Sequence, residues 1–218
     1  MDPAVETLAR SPKLPRLVDE LQRLLREEAE RRERFYRELR EDQKAEFING
    51  EVIVQSPAKV KHLNATKRLL TIISSYVDKH GLGTVFSEKA LICLSRNDYE
   101  PNIVFYGSTK AITLDPDQMK LPAPDLVVEV LSASTEERDR GIKLEDYGEH
   151  GVGEYWIVDP DGEVVEQYVL HASRYRLESR KGDGELHSTV VSGLNVPVRA
   201  IFDPRENLKA LQQILSER

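Results

Sequence analysis

The chain contains the segment Pro122-Ala123-Pro124-Asp125-Leu126-Val127-Val128-Glu129-Val130-Leu131-Ser132, in which two carboxylates interrupt a dense run of aliphatic residues. Such a run predicts a β-strand that is covered on both faces. Because side chains alternate along a strand, Asp125 and Glu129 point to the same face. A carboxylate in so dry a place needs a partner. Two interpretations are open: Asp125 caps the start of the strand while Glu129 pairs with an arginine, or both carboxylates bind a metal ion.

The segment that follows the strand carries further polar groups. Ser134 and Glu137 have the spacing of a capping box, which predicts a helix that runs to about Tyr147. On this helix Asp139, Lys143 and Tyr147 follow one another at intervals of one turn, so they share a face that can be turned toward the strand. Two carboxylates, a lysine and a phenol can hold a hard metal ion and stabilise phosphate charge. This segment therefore favours the metal-binding interpretation.

The order of the other elements predicts the fold class. Hydrophobic periodicity predicts a helix over about 58–80, strands within 84–94, 102–106 and 126–131, and a further strand over 154–158 directly after the second helix. Beyond these, Asp161-Gly162 predicts a hairpin turn, residues 196–202 predict more β structure, and a short C-terminal helix is expected. The alternation predicts an α/β protein rather than a helical bundle or a sandwich.

The N-terminal part is predicted to be helical. From about Leu14 to Lys44, leucines recur at helical spacing and are followed by a tract of mixed charge over 26–34. Mixed charge at this spacing is typical of a solvated helix, and a helix that packs on a partner chain or on DNA phosphates is the alternative. We therefore predict an N-terminal helical extension over residues 1–45 and one domain over residues 46–218, which begins with two short strands around Asn49-Gly50.

Composition excludes several classes of protein. The formal net charge of −7 argues against a non-specific nucleic-acid coat protein, but it does not exclude a nuclease, whose acidic site needs a metal ion before phosphate can approach. The one cysteine, Cys93, excludes an internal disulfide framework and a multi-cysteine metal cage. No run approaches the roughly 20 apolar residues that span a bilayer. The sequence predicts a soluble, cytoplasmic protein.

Three segments together resemble the Uma-type family of restriction-endonuclease-like proteins: Pro124–Ser132, Arg138–Lys143 and Glu154–Pro160. The resemblance extends upstream through Asn49-Gly50-Glu51 and Arg96–Pro101, and it covers the chain from about Glu46 to Phe202. It implies a PD-(D/E)XK nuclease core, which is a mixed sheet flanked by helices with acidic residues on two adjacent strands that bind magnesium or manganese. It also implies DNA as the substrate and a homodimer, for which the N-terminal helices are the expected interface.

The resemblance assigns roles to the residues at positions 102, 129 and 143, which join Asp125 from the strand argument above. Glu129 corresponds to the second carboxylate, and Lys143 corresponds to a lysine relocated from the position that Leu131 occupies. The first carboxylate is expected after Pro101, where this chain has Asn102. An amide is neutral and offers one carbonyl oxygen, so it is a poorer ligand for a hard dication than a carboxylate. Asn102, Asp125, Glu129 and Lys143 are thus the predicted catalytic residues, and the first three are the predicted metal ligands.

The replacement at position 102 has three explanations: a naturally degenerate site, a deliberate inactivating substitution, or Asp125 acting as the ligand instead. We expect a metal-dependent endonuclease that is weak or inactive, with a non-catalytic nucleic-acid-binding or assembly protein as the alternative. A third option is a hydrolase of another phosphodiester, such as RNA or a nucleotide signal. His62 is expected to be a surface or hydrogen-bonded histidine, with a place at the mouth of the active site as the alternative, and Glu51 to be exposed to solvent, with an additional metal-site carboxylate as the alternative.

Overall fold

The computed structural model of the protein describes residues 3–40 and 42–216. The chain divides into two compact units, Met1–Gln55 and Ser56–Arg218. The predicted boundary between an N-terminal extension and a nuclease domain at residues 45 and 46 stays a prediction.

The first unit consists of two helices and a β-hairpin: α1 (Pro3–Ala9), α2 (Leu14–Glu38), β1 (Ala45–Ile48) and β2 (Glu51–Val54). The hairpin turn has positive φ at Asn49 and at Gly50, as the Asn-Gly pair predicts. The hairpin packs on α2, where the rings of Phe35 and Phe47 lie 5.9 Å apart and Arg31 Nε donates to the carbonyl of Gly50 at 3.0 Å. A Cβ at Gly50 would lie 2.7 Å from the Arg31 guanidinium, so this close approach requires glycine.

The second unit contains the remaining elements: α3 (Val60–His80), β3 (Gly83–Ser87), β4 (Leu91–Cys93), β5 (Asp98–Tyr99), β6 (Ile103–Gly107), α4 (Ser108–Ala111), β7 (Lys120–Leu121), β8 (Leu126–Val130), α5 (Glu136–Arg140), α6 (Ile142–Glu149), β9 (Glu154–Asp159), β10 (Val164–His171), β11 (Arg174–Lys181), β12 (Glu185–His187), β13 (Asn195–Pro197), α7 (Arg199–Phe202) and α8 (Pro204–Ser216).

A six-stranded mixed sheet in the order β11-β10-β9-β8-β6-β3 forms the centre of this unit. β8 and β9 are parallel, and the other neighbours are antiparallel. All five residues of β8 are buried, as its aliphatic density predicts. The core joins α3 to one face of this sheet through Leu69, Ile73, Val77, Val128 and Trp156. The predicted α/β architecture is confirmed.

The register of β6 and β8 decides which side chains meet at the end of the sheet. Ile103 pairs with Val128 and Val104 with Val127, so position 102 comes next to position 129 on the neighbouring strand. Strands of a sheet lie roughly 5 Å apart. Side chains at these two positions can therefore belong to one site.

Two predictions about secondary structure are wrong. The helix expected up to Tyr147 is two helices that meet at Gly141, whose φ is −110° and ψ −103°, and its start at Thr135 has no side-chain cap, so no capping box forms. A Cβ at Gly141 would lie 2.8 Å from the carbonyl oxygen of Glu137, so glycine permits this break. Residues 199–202, expected to be β structure, form α7, in which the neighbours Ala200 and Ile201 are both fully buried.

Candidate active site

Glu129 and Asn102 lie side by side where β8 ends and β6 begins. Glu129 is 4% exposed and Asn102 is 3% exposed. The backbone N–H of Val130 donates to Asn102 Oδ1 at 2.8 Å, and this bond ties the two strands together beyond their last paired residues. The two positions that the family pattern assigns to metal-binding carboxylates are thus neighbours in space.

Lys143 is held in the same buried cluster. Its Nζ donates to Glu129 Oε1 at 2.9 Å and lies 3.1 Å from Asp139 Oδ1. Lys143 and Asp139 are each 1% exposed. A buried ammonium group is costly unless it is paired, and here two carboxylates flank it. The structure also places the ammonium nitrogen 5.6 Å from the centre of the Tyr99 ring, within the range of a cation–π contact.

Two tyrosines, Tyr147 and Tyr155, pack beside this cluster. Tyr147 is fully buried, and its ring lies 5.2 Å from that of Tyr99 and 5.4 Å from that of Tyr155. The Tyr155 hydroxyl donates to the backbone carbonyl of Asp139 at 3.0 Å. Burial, and after it the charges of Glu129 and Asp139, raise the pKa of Tyr155 well above its ordinary value. This phenol therefore stays protonated and acts as a hydrogen-bond donor that positions the end of α5.

The Asn102 amide is fixed by three neighbours. Its Oδ1 accepts from Val130, while its Nδ2 donates to Glu88 Oε1 at 3.2 Å and lies 3.1 Å from His62 Nε2. If the amide group were rotated by 180°, Nδ2 would face a backbone N–H and Oδ1 would face a carboxylate. The orientation described above is therefore the one in which each amide atom has a complementary hydrogen-bond partner. For Asn102 to donate to His62, the Nε2 atom must be unprotonated. The groups that face Nδ2 of Asn102 therefore act as hydrogen-bond acceptors, whereas the group that faces Oδ1 is a donor.

Asp125 lies outside this cluster. Its Oδ2 accepts from the backbone N–H of Gly107 at 2.7 Å, and its Oδ1 lies 2.9 Å from Lys110 Nζ. It precedes β8, whereas Glu129 is near the end of that strand, and four residues of strand span about 13 Å. Sharing a face of the strand therefore does not by itself bring Asp125 to Glu129, and the role of Asp125 as a metal ligand stays a prediction.

The residues present do not fit a divalent metal ion. The one carbonyl oxygen of Asn102 already accepts from Val130, and Glu129 Oε1 accepts from Lys143. Among residues 3–40 and 42–216, no group of three or more histidine, cysteine, aspartate or glutamate side chains could hold a metal ion. A hard dication such as magnesium takes oxygen ligands, and the protein usually supplies one or two carboxylates while waters and substrate phosphates supply the rest. The amide at position 102 thus separates this site from a metal-binding one.

Three residues of the site were not predicted as site residues. Glu88 and His62 contact Asn102 from positions 14 and 40 residues away in the sequence, so no local pattern identifies them. Glu88 follows β3 in the left-handed region, with φ +47°, which is unusual for a residue other than glycine. Asp139 was expected on the face of Lys143, but not as its ion-pair partner. Glu51 is exposed, as expected.

The sequence also matches a known protein family. Residues 27–199 match the Uma2 family, whose description is "Putative restriction endonuclease". The chain belongs to this family, and the predicted resemblance is confirmed.

One solved structure with a similar fold is described as "a putative nuclease belonging to DUF820 from Anabaena variabilis ATCC 29413". Its sequence is 18% identical, the TM-score is 0.66, and the match covers 81% of this chain and 96% of the other. At this identity the likeness shows the fold alone, which is that of the restriction-endonuclease-like class. No curated protein matches the chain. Within the described residues, none of the helices combines the length and the apolar character that crossing a membrane requires.

Proposed function

We propose that this protein has the site of a metal-dependent endonuclease acting on DNA, and that Asn102 leaves that site weak or inactive. The observation that carries the proposal is the position of the Asn102 side chain beside Glu129 on adjacent strands, with Lys143 bound to Glu129. Membership of a restriction-endonuclease family supports a nuclease. Magnesium or manganese is the proposed ion for a site in which position 102 is a carboxylate.

Lys143 and Glu129 are the groups proposed to act directly. A lysine in a place that excludes water interacts with phosphate charge more strongly than one in water. Asp139 is proposed to position Lys143, because the two side chains are paired and both are buried. Asp125, which binds Lys110, has no part in the proposed site.

The first experiment compares the parent chain with Asn102→Asp. Calorimetric titration with magnesium and with manganese measures binding, and a panel of double-stranded DNA, single-stranded DNA and RNA measures cleavage. We expect tight metal binding and cleavage by Asn102→Asp, and neither by the parent. Adding Glu129→Gln to the aspartate variant removes a carboxylate with little change of shape and should abolish both. Asp125→Asn in the same background is the matched control and should change neither.

Failure of Asn102→Asp to bind metal or to cleave any substrate would count against the endonuclease. It would favour the second candidate, a non-catalytic nucleic-acid-binding or assembly protein on a degenerate nuclease core. One observation favours that candidate: both the oxygen and the nitrogen of the Asn102 amide have hydrogen-bond partners, as expected of a residue whose role is structural. DNA binding that needs no metal and survives Glu129→Ala would support it. The cytoplasmic location and the homodimer through the N-terminal helices stay predictions.

A further inference from the structure

Three polar side chains outside the candidate active site are joined by hydrogen bonds. Ser95 lies in the turn between β4 and β5, Asp146 lies on α6, and His150 follows directly after that helix. The Ser95 hydroxyl oxygen lies 2.9 Å from His150 Nε2, and His150 Nδ1 lies 3.1 Å from Asp146 Oδ1. A serine nucleophile makes the first of these contacts with its base, and the base makes the second with the carboxylate that orients it.

The neighbours of the His150 ring determine which of its nitrogens carries the proton. Nδ1 faces two acceptors, the Asp146 carboxylate and, at 2.8 Å, the backbone carbonyl of Asp146. Nε2 faces the backbone N–H of Ser95 at 3.1 Å, which is a donor, and the Ser95 hydroxyl, which can donate. A neutral ring that satisfies all of these contacts is protonated at Nδ1 and unprotonated at Nε2. Nε2 can therefore take a proton from the Ser95 hydroxyl, as a general base does.

The other oxygen of the Asp146 carboxylate is fixed by two further donors. The Tyr99 hydroxyl and the Asn97 amide each donate to Asp146 Oδ2 at 2.7 Å. Both donors belong to buried residues, so the packing around them fixes their own positions. A carboxylate that is held at both oxygens has one orientation, and it can hold the His150 imidazole in place. This is the role of the third residue of a catalytic triad.

The nucleophile of this arrangement is the member that solvent reaches. Ser95 is exposed, whereas the side chains of His150 and Asp146 are 24% and 13% exposed. A substrate can therefore approach the Ser95 hydroxyl while the base and the carboxylate are partly shielded from water. The same network also holds the turn between β4 and β5 against the end of α6, and a purely structural role is the alternative that the experiments must separate from a reactive one.

We propose that Ser95, His150 and Asp146 form a second reactive site, at which carboxylic esters acylate the Ser95 hydroxyl. The Ser95 oxygen attacks the carbonyl carbon of the ester while His150 Nε2 takes the hydroxyl proton, and the leaving alcohol receives that proton as its bond to the carbonyl carbon breaks. Water then hydrolyses the acyl–serine ester, which releases a carboxylic acid and restores Ser95. The proposal does not depend on the nuclease function, since none of the three residues belongs to the proposed nuclease site.

A fluorophosphonate probe tests the nucleophile in the full chain, because activated serine hydroxyls displace its fluoride and become covalently labelled. We expect mass spectrometry of the digested protein to find the label on Ser95, and we expect Ser95→Ala to take up no label. The matched control is Ser173→Ala, which removes another exposed serine, in the turn between β10 and β11, and should be labelled like the parent. A parent that takes up no label overturns the proposal, and so does a label that Ser95→Ala retains.

The rate of p-nitrophenyl acetate hydrolysis, in excess of the rate of Ser95→Ala, tests the base. A positioned general base contributes roughly 10²–10⁴-fold, so His150→Ala should lower this rate by about 100-fold or more. The control His187→Ala removes an exposed histidine elsewhere and should keep the rate of the parent.

A second variant separates loss of the base from loss of the turn. Asp146→Asn nearly keeps the shape of the side chain, and its amide oxygen can still accept from Tyr99 and Asn97. Its amide nitrogen then faces His150 Nδ1 as a donor, which favours the ring protonated at Nε2, the tautomer that cannot act as the base. The hydrolysis rate should therefore fall while the circular dichroism spectrum and the Tm stay close to those of the parent. A rate that neither His150→Ala nor Asp146→Asn lowers overturns the proposal.

Discussion

Changing Asn102 to aspartate exchanges a hydrogen-bond donor for an acceptor at a position that is 3% exposed. The bond from the Val130 N–H survives, because the new carboxylate keeps an oxygen in that place. The two contacts of Nδ2 do not survive, since Glu88 Oε1 at 3.2 Å then meets a second carboxylate and His62 loses its donor. The substitution therefore places two negative charges in contact at the edge of the site.

The cost of this change follows from Coulomb's law. At about 3.2 Å, two unit charges repel by roughly 5 kcal/mol at an effective dielectric constant of about 20, and by roughly 1 kcal/mol in water. Glu88 is exposed, so the lower half of this range applies. Loss of a buried hydrogen bond adds about 1 kcal/mol. We expect the free energy of unfolding to fall by about 2–4 kcal/mol in the absence of metal, which corresponds to a Tm lower by roughly 5–10 °C for a chain of this length.

Differential scanning calorimetry with a chelator, and then with magnesium or manganese, measures both effects. A bound dication replaces the lost donor, and at about 100 times the Kd it restores roughly 2.7 kcal/mol. Asn102→Ala is the control, because it removes the contacts of Nδ2, and the Val130 bond as well, without adding charge, and it should gain nothing from metal. The reasoning is refuted if Asn102→Asp melts with the parent in chelator, or if metal raises the Tm of the alanine variant equally.

Three further substitutions test the structure. Lys143→Met leaves the carboxylates around it buried without their cation and should lower the free energy of urea unfolding by about 3–5 kcal/mol; a loss below about 1 kcal/mol would contradict the buried ion pair. Burial raises the pKa of Glu166, but the hydrogen bond from Arg140 and the contacts that follow outweigh it, so the pKa is lowered overall. The stability that this carboxylate contributes is therefore present above its ordinary pKa of 4.5 and is lost as the pH falls through its lower pKa in the folded protein. Glu166→Gln should thus be less stable than the parent at neutral pH, and the difference in stability should shrink in acid. Equal dependence of stability on pH in the two proteins would argue against this ion pair. Gly50→Ala should lower the Tm, because the turn has φ +83° and the new methyl group would meet α2; an unchanged Tm would show that the hairpin can move away.

The local sequence pattern was sufficient to predict those features that depend on a single element or a single turn. The aliphatic density of residues 126–130 identified a strand buried on both faces, and the helical period over about 58–80 identified α3. The positions of Glu129 and Lys143 could also be related from sequence, because they lie only 14 residues apart, on β8 and on the helical segment that follows it. The presence of an amide at position 102 was visible at once, since it breaks a pattern shared by the family.

Tertiary structure decided which of these groups meet. The period of a strand gives Asp125 and Glu129 one face, yet only the pairing of β6 with β8 shows that position 102, and not Asp125, lies beside Glu129. The contacts of Asn102 with Glu88 and His62 join segments that are distant in the chain, and such contacts depend on how a helix packs on a sheet. A sequence pattern reports the direction of a side chain within its element, whereas a site needs distances between elements, which packing and strand register determine.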